Sequence, residues 1–268
     1  MLDFEFLAGV AREAGKAILE VYETDFEVVH KKDESPLTLA DTRSHRIIAD
    51  SLRARYPDIP VVSEEGKEAP FEIRRNWDRF WLVDPLDGTK EFVKRNGEFT
   101  VNIALVENSM PVAGIIHIPV ADKMYLADVR EGCWEISGNG RKRLEVAQIA
   151  AGVPVRIVRS RSHPTPQLNK FLSMIHSYQV INRGSALKFC AVAAGEADFY
   201  PRFGPTWEWD TAAGQAIVTA AGGVMVDLSG KPFVYNKEIL LNGPFIVSSS
   251  AQWLTESGML EMASKLDL

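Results

Sequence analysis

Between Phe4 and Tyr22 the apolar residues Phe4, Leu7, Ala8, Ala11, Ala14, Ala17, Ile18 and Val21 recur three and four apart, with charged residues between them. That spacing predicts an amphipathic helix laid on a core. Phe26 to Val29 reads as a short strand, and Lys31-Lys32-Asp33-Glu34-Ser35-Pro36 as a charged loop. Thr38-Leu39-Ala40-Asp41 opens a second helix, capped by Thr38 or Asp41, that runs through His45, Ile47, Ile48 and Leu52 to about Tyr56, where Pro57 ends it. The period then drops to two. Val61-Val62-Ser63 and Trp81-Leu82-Val83 are apolar strands, joined by a charged connection from Phe71 to Arg79. Phe99–Val106, Val112–Ile118, Lys123–Asp128 and Gly132–Ile136 follow as β-branched stretches separated by turn residues. An antiparallel meander with two helices makes an α+β half.

Composition shifts near Ala150-Ala151-Gly152-Val153-Pro154, which predicts a boundary between halves 1–151 and 152–268. Beyond it, strands at Val155–Val158, Tyr178–Ile181, Asp198–Phe203, Val224–Val226 and Phe245–Val247 alternate with helices at Gln167–His176, Gly184 to Gly195, Thr211–Val218 and from about Gln252, an α/β half.

The chain has 268 residues, 46% hydrophobic and 25% charged, enough for a sizeable core. With 30 Lys+Arg against 36 Asp+Glu its formal charge is -6, which argues against duplex nucleic acid as a partner and means that a small anion would need local cations. The two cysteines, Cys133 and Cys190, are far apart and suit a reducing compartment. Neither a secretory signal nor an apolar run of about 20 residues is visible, so a cytoplasmic protein without a transmembrane segment is expected, peripheral attachment at the inner membrane and oligomeric state being left open.

Chemistry concentrates where strands end in acids. Trp81-Leu82-Val83-Asp84-Pro85-Leu86-Asp87-Gly88-Thr89 passes from an apolar run to two carboxylates, and Pro85, which has no N–H for a sheet, predicts that the strand stops there so that Asp84 and Asp87 converge. Thr89 would cap a short helix through Lys90-Glu91-Phe92-Val93. Two carboxylates ~4 Å apart repel by roughly 4 kcal/mol at an effective dielectric of about 20, and a bridging hard cation, Mg²⁺ or Mn²⁺, relieves that repulsion. The bland alternative is a polar turn closing a core strand. Val61-Val62-Ser63 runs into Glu64-Glu65-Gly66 in the same style, and Glu64, directly after the strand, is the better ligand. Asp210, before Thr211-Ala212-Ala213-Gly214, reads as a helix N-cap that can also face a metal, which would set the site in a cleft between the halves. Ser185 and Lys188, three apart, would share one helix face as a phosphate seat, and Arg202 could clasp a second anion. Solvent exposure is the competing reading for Lys188 and Arg202. No His is expected beside the acidic turns, His45 on the second helix reading as a surface or interface residue, and a metal-activated water would need no Ser or Cys nucleophile.

Asp84-Pro85-Leu86-Asp87-Gly88-Thr89, Glu64-Glu65 after a strand, Thr38-Leu39-Ala40-Asp41 and Trp209-Asp210-Thr211-Ala212-Ala213-Gly214 occur together, in an order that resembles the lithium-sensitive inositol-monophosphatase superfamily over nearly the whole chain. Asp87-Gly88-Thr89-Lys90-Glu91-Phe92, Arg95-Asn96-Gly97-Glu98-Phe99-Thr100-Val101-Asn102, Gly184-Ser185-Ala186-Leu187-Lys188-Phe189-Cys190 and Tyr200-Pro201-Arg202-Phe203-Gly204-Pro205 are similar to the bacterial CysQ-type 3'(2'),5'-bisphosphate nucleotidases. The resemblance implies a layered α/β/α/β/α fold and hydrolysis of 3'-phosphoadenosine 5'-phosphate to AMP and phosphate with two or three Mg²⁺ ions, in the context of sulfur assimilation. It implies metal ligands at Glu64, Asp84, the Leu86 carbonyl, Asp87 and Asp210. Asp41 and Thr89, with Glu64, would orient and deprotonate water. The N–H groups of Gly88 and Thr89 would hold the transferred phosphate, and Ser185, Lys188 and Arg202 would contact the nucleotide. His163 aligns only loosely with a nucleotide-binding His of eukaryotic relatives and stays outside the expected site.

Within the superfamily an inositol monophosphatase or another sugar-phosphate phosphatase is the nearest rival, and short oligoribonucleotides are a further substrate class. A metal-dependent nucleotide sensor without turnover is the rival from another class, disfavoured by the presence of Asp41 and Thr89. A purely structural interaction protein would leave the convergent acids unexplained.

Overall fold

The computed structural model describes residues 2–24, 36–150, 152–162 and 165–266. The strand expected at Phe26–Val29, the loop from Lys31 to Ser35, and His163 lie outside the described residues.

Helix α1 (Phe4–Tyr22) spans the predicted periodic stretch, with Asp3 accepting from the Phe6 N–H at its start. Helix α2 (Pro36–Arg55) begins before Thr38 and Asp41, so neither caps it. The first sheet has seven strands in sequence order: β1 (Val61–Ser63), β2 (Arg79–Asp87), β3 (Thr100–Glu107), β4 (Met110–Ile118), β5 (Lys123–Asp128), β6 (Gly132–Ser137) and β7 (Gly140–Leu144). Only β1 and β2 are parallel; the others form the expected meander. A short helix α3 (Phe71–Arg74) crosses from β1 to β2, and α4 (Thr89–Val93) follows β2.

The remainder comprises β8 (Val155–Ser160), α5 (Pro166–Ser173), β9 (Tyr178–Arg183), α6 (Leu187–Ala193), β10 (Phe199–Arg202), β11 (Thr206–Trp207), α7 (Glu208–Ala220), β12 (Val224–Asp227), β13 (Leu241–Asn242), β14 (Phe245–Ser248), α8 (Ala251–Glu256) and α9 (Met259–Ser264). A second, mixed sheet runs β12-β14-β10-β8-β9, while β11 and β13 pair by themselves.

Alternation along the strands sorts side chains into layers. Trp81, Val83, Ile103, Leu105, Ile115 and Leu126 pack with α1 and α2. Their neighbours Phe80, Leu82, Ala104, Val106, Ile116 and Tyr125 face the opposite way, into a core shared with α6, α7 and one face of the second sheet. The second sheet's other face, with Ile157, Phe199 and Ile246, is covered by α5, α8 and α9. The order is therefore helix, sheet, helix, sheet, helix, and the middle core draws residues from both sides of position 151.

Candidate active site

Strand β2 does not stop at Pro85. It continues to Asp87, and its pairing with β3 shifts, Asp84 opposing Asn102 and Asp87 opposing Thr100, so three steps on β2 match two on β3. The extra residue is a β-bulge at the proline, and it changes which face the following residues address. Asp84 and Asp87 thereby line one cavity although an unbroken strand would separate them. The bulge is pinned by Ser44 of α2, whose hydroxyl donates to the Pro85 carbonyl at 2.7 Å, and by the Leu86 N–H, which donates to Asp84 Oδ1 at 3.1 Å. Gly88, not Thr89, occupies the N-cap of α4, at φ +97°, where a Cβ would lie 3.1 Å from the Cβ of Ser185; Thr89 is the first helical residue.

Parallel pairing of β1 with β2 puts Glu64 beside this turn, its N–H donating to the Val83 carbonyl at 3.2 Å. Behind it, on α2, is Asp41. Asp41 is not among the residues lining the cavity. One of its carboxyl oxygens is buried without a hydrogen-bond partner, and burial together with Glu65 and Glu64 pushes its pKa up to about 8. His45, expected at the surface or an interface, is half-buried with Nδ1 2.8 Å from Ser63 Oγ, so contrary to expectation a histidine does sit next to the Glu64-Glu65 turn. Burial depresses its pKa.

Asp210 comes from the other side of the chain. It lies in the first turn of α7 rather than at the N-cap, and its Oδ2 accepts from the Trp207 N–H at 2.7 Å. Helix α7 can approach closely because Gly214 faces the Phe189 ring with no room for a Cβ. Carboxylate oxygens of Glu64, Asp84 and Asp210 lie within 4.8 Å of one another. Asp84 is buried, and burial followed by the charges of Asp87, Glu64, Asp210 and Asp41 holds its pKa far above the carboxylate range. Asp210 is pushed up to about 7, by burial and then by Asp87. Three oxygen donors converging with so little positive charge between them fit a hard divalent cation and could hold one. Asp87 lines the same cavity outside that trio, its Oδ2 accepting from Ser185 Oγ at 2.6 Å and from Asn102 Nδ2 at 3.3 Å.

The opposite wall is cationic. Ser185 is not in a helix; it precedes α6 at φ +45°, so its proximity to Lys188 owes nothing to a shared helical face. Lys188 is buried, with Nζ donating to the Ser185 carbonyl and lying 5.7 Å from the Tyr200 ring centroid. Burial lowers its pKa to about 8 against the pull of Asp87. Arg202 donates from Nε to the Gly204 carbonyl at 3.1 Å and from a terminal nitrogen to that of Pro205 at 3.0 Å. Glu64, Asp84, Leu86, Asp87, Gly88, Thr89, Ser185, Lys188, Arg202 and Asp210 all line one cavity of about 690 Å³.

Sequence reasoning missed several members of this environment. Thr100 Oγ1 lies 2.6 Å from Ser185 Oγ and 2.8 Å from Asn102 Oδ1, so two buried polar side chains of β3 support Asp87 and Ser185. The available signal was the apolar Ala104 and Val106 farther along the same face of β3, which mark that face as buried and so set Thr100 and Asn102 apart as polar residues in a core. Glu98 accepts from Arg161 at 2.7 and 2.8 Å and from the Gly184 N–H at 2.7 Å, clasping the two walls. Buried Glu91 and exposed Trp207 also line the cavity.

Comparison with known proteins places this geometry. The chain is 48% identical over 243 residues to the 3'(2'),5'-bisphosphate nucleotidase CysQ of Escherichia coli K12, covering 89% of this chain and 96% of that protein. It is 48% identical over 248 residues to the protein of the same name from Salmonella typhimurium LT2, covering 91% and 98%. The crystal structure of CysQ from Bacteroides thetaiotaomicron, a bacterial member of the inositol monophosphatase family, superposes with a TM-score of 0.83 at 42% identity, covering 91% of this chain and 96% of that one. The family model described as "Inositol monophosphatase family" matches residues 3–264. A fold of five alternating layers with an acid trio at the junction of two sheets thus has its place: the chain belongs to the inositol monophosphatase family.

Proposed function

We propose that this chain is a divalent-metal-dependent phosphomonoesterase that hydrolyses 3'-phosphoadenosine 5'-phosphate to AMP and inorganic phosphate, as the names of its CysQ relatives suggest. The observation that carries the reading is the pairing, in one cavity, of the carboxylates Glu64, Asp84 and Asp210 with the cations Lys188 and Arg202. An acid cluster alone serves any metal phosphatase. Two cations in the same cavity, held by backbone carbonyls and, among the described residues, in no ion pair with the acids, suit a substrate with a second phosphate that is not transferred.

Glu64, Asp84, Asp87, Asp210 and the Leu86 carbonyl are the proposed ligands of two or three Mg²⁺ ions, with Mn²⁺ as a substitute. When bound, the ions neutralise phosphoryl charge and acidify water. Glu64 and Thr89, at the cavity surface, orient the attacking water, and Asp41 completes the proton-accepting network from behind Glu64. Without metal, burial and the charges of Glu65 and Glu64 raise the Asp41 pKa to about 8, so it keeps its proton at neutral pH; with a cation held at Glu64 that pKa would fall and Asp41 could accept a proton from water. Gly88 and Thr89 offer backbone N–H groups to the transferred phosphoryl oxygens. Ser185 and Lys188 hold the nucleotide side, and Arg202 clasps the phosphate that stays. The halves 1–151 and 152–268 contribute the acidic and cationic walls respectively, Asp210 excepted.

Phosphate release from 3'-phosphoadenosine 5'-phosphate and from inositol 1-phosphate, each with Mg²⁺ and with chelator, tests the reading. The nucleotide should be turned over faster, and chelator should abolish release. Faster turnover of inositol 1-phosphate would transfer the assignment to the sugar-phosphate branch, and tight nucleotide binding without release would indicate a sensor.

A further inference from the structure

We propose that the indole of Trp207 is the surface on which the substrate's nucleobase stacks, an inference that rests on the nucleotide reading above. A flat base bound beside charged groups needs an aromatic face, because hydrogen bonds alone leave its rings against water. Four aromatic residues occur among the described residues lining the cavity: Phe189, Tyr200, Trp207 and Phe245. Phe189 and Tyr200 are 2% exposed and Phe245 0%. Those three pack against one another, Phe189 edge-on to Tyr200 at 5.3 Å and Tyr200 edge-on to Phe245 at 5.6 Å, and belong to the core. Trp207 is 41% exposed.

Its ring is held in place. One face of Trp207 lies parallel to Trp209, with centroids 5.2 Å apart and planes at 9°. The Trp207 N–H donates to Asp210 Oδ2 at 2.7 Å, its carbonyl accepts from Asn242 Nδ2 at 2.7 Å, and its backbone pairs with Leu241 on β13. An indole supported by Trp209, on a residue whose backbone is paired to β13 and whose backbone N–H is tied to a carboxylate of the acid trio, is pre-organised for a third ring to extend the stack. Stacking on one π-face reads area rather than edge pattern, so purine nucleotides are favoured over pyrimidine ones with little choice between adenine and guanine.

Titration calorimetry in excess Mg²⁺ with AMP and with 1-O-methyl-β-ribofuranoside 5-phosphate isolates the base, because a methoxy group replaces it on the same fixed β-anomer. The wild-type protein should bind AMP at least about tenfold more tightly. Trp207→Ala should bring the two affinities to within about twofold by weakening AMP alone, and Trp207→Phe should keep most of the difference. If Trp207→Ala also loses the methyl riboside phosphate, Trp207→Leu, which keeps apolar bulk without a ring, replaces it in the comparison. A ratio unchanged in the ring-less variant, or no ratio in the wild-type protein, overturns the proposal. Stacking without release of phosphate from 3'-phosphoadenosine 5'-phosphate would sink the nucleotidase reading and spare the platform; turnover with an unchanged ratio would do the reverse.

Discussion

The two walls of the cavity are completed in opposite ways. On the cationic wall Lys188 and Arg202 already have partners, the carbonyls of Ser185, Gly204 and Pro205, which hold the side chains without cancelling their charge. On the acidic wall Glu64, Asp84 and Asp210 face one another, and burial first, with the charge of Asp87 next, raises all three pKa values. One wall is pre-organised by the chain itself. The other is left with a charge conflict that bound protons relieve in the free protein and an added cation would relieve in their place, which is the arrangement expected where metal binding is coupled to proton release.

Breaking the acidic wall should have the largest effect. Asp84→Asn, nearly isosteric, should lower turnover by at least about 10²-fold in saturating Mg²⁺ with the melting temperature of the metal-free protein unchanged or raised, since a buried carboxyl that is costly to ionise gives way to a neutral amide that can still accept from the Leu86 N–H. Phosphate release and a thermal melt check both halves of that statement. Asn102→Ala removes a support of Asp87 and should weaken metal affinity by about 10-fold to 100-fold, read by Mg²⁺ titration of activity. On the cationic wall, Lys188→Met should raise KM for the nucleotide bisphosphate by about tenfold, through loss of a charged contact. A kcat loss with KM constant would instead assign Lys188 to the reacting phosphate.

The smallest effect is on stability against pH. Asp41 and Asp210 have folded pKa values of about 8 and about 7, raised from 3.8, so in chelator the folded protein holds protons that the unfolded chain has released. Stability contributed by those groups is therefore lost as pH climbs from about 4 to about 8. Added Mg²⁺ should raise the melting temperature more at pH 8 than at pH 5, by a few degrees. An Mg²⁺ shift that is the same at both values would mean that the carboxyls are not the ion's seat.

Much of this architecture is legible in the chain, but unevenly. Helix α1 and the meander follow from hydrophobic period alone, because each buries one face on one neighbour. The meeting of Glu64 with Asp84 was signalled by two apolar strands ending in acids. What escaped depends on partners remote in sequence. The β2 bulge is defined only by its register with β3, so the proline looked like an end. Lys188 is buried by α6 packing on both sheets, which no local pattern displays. The short β11–β13 ladder, joining residues 34 and 36 apart (Trp207 to Leu241, Thr206 to Asn242), carries too few side chains to leave a period. Glu208 shows the converse hazard: an acid two residues from Asp210, fully buried, it accepts from the N–H groups of Asn236 and Lys237 and from Lys237 Nζ and serves the fold.

The offset between Asp84–Asp87 and Thr100–Asn102 also makes segment length as consequential as residue type. Deleting a single residue between the two aspartates would bring β2 back into step with β3 and swing one carboxylate away from its companion toward the packed interior. Point substitutions there should cost catalysis and leave a folded protein, whereas one-residue indels should cost the fold as well.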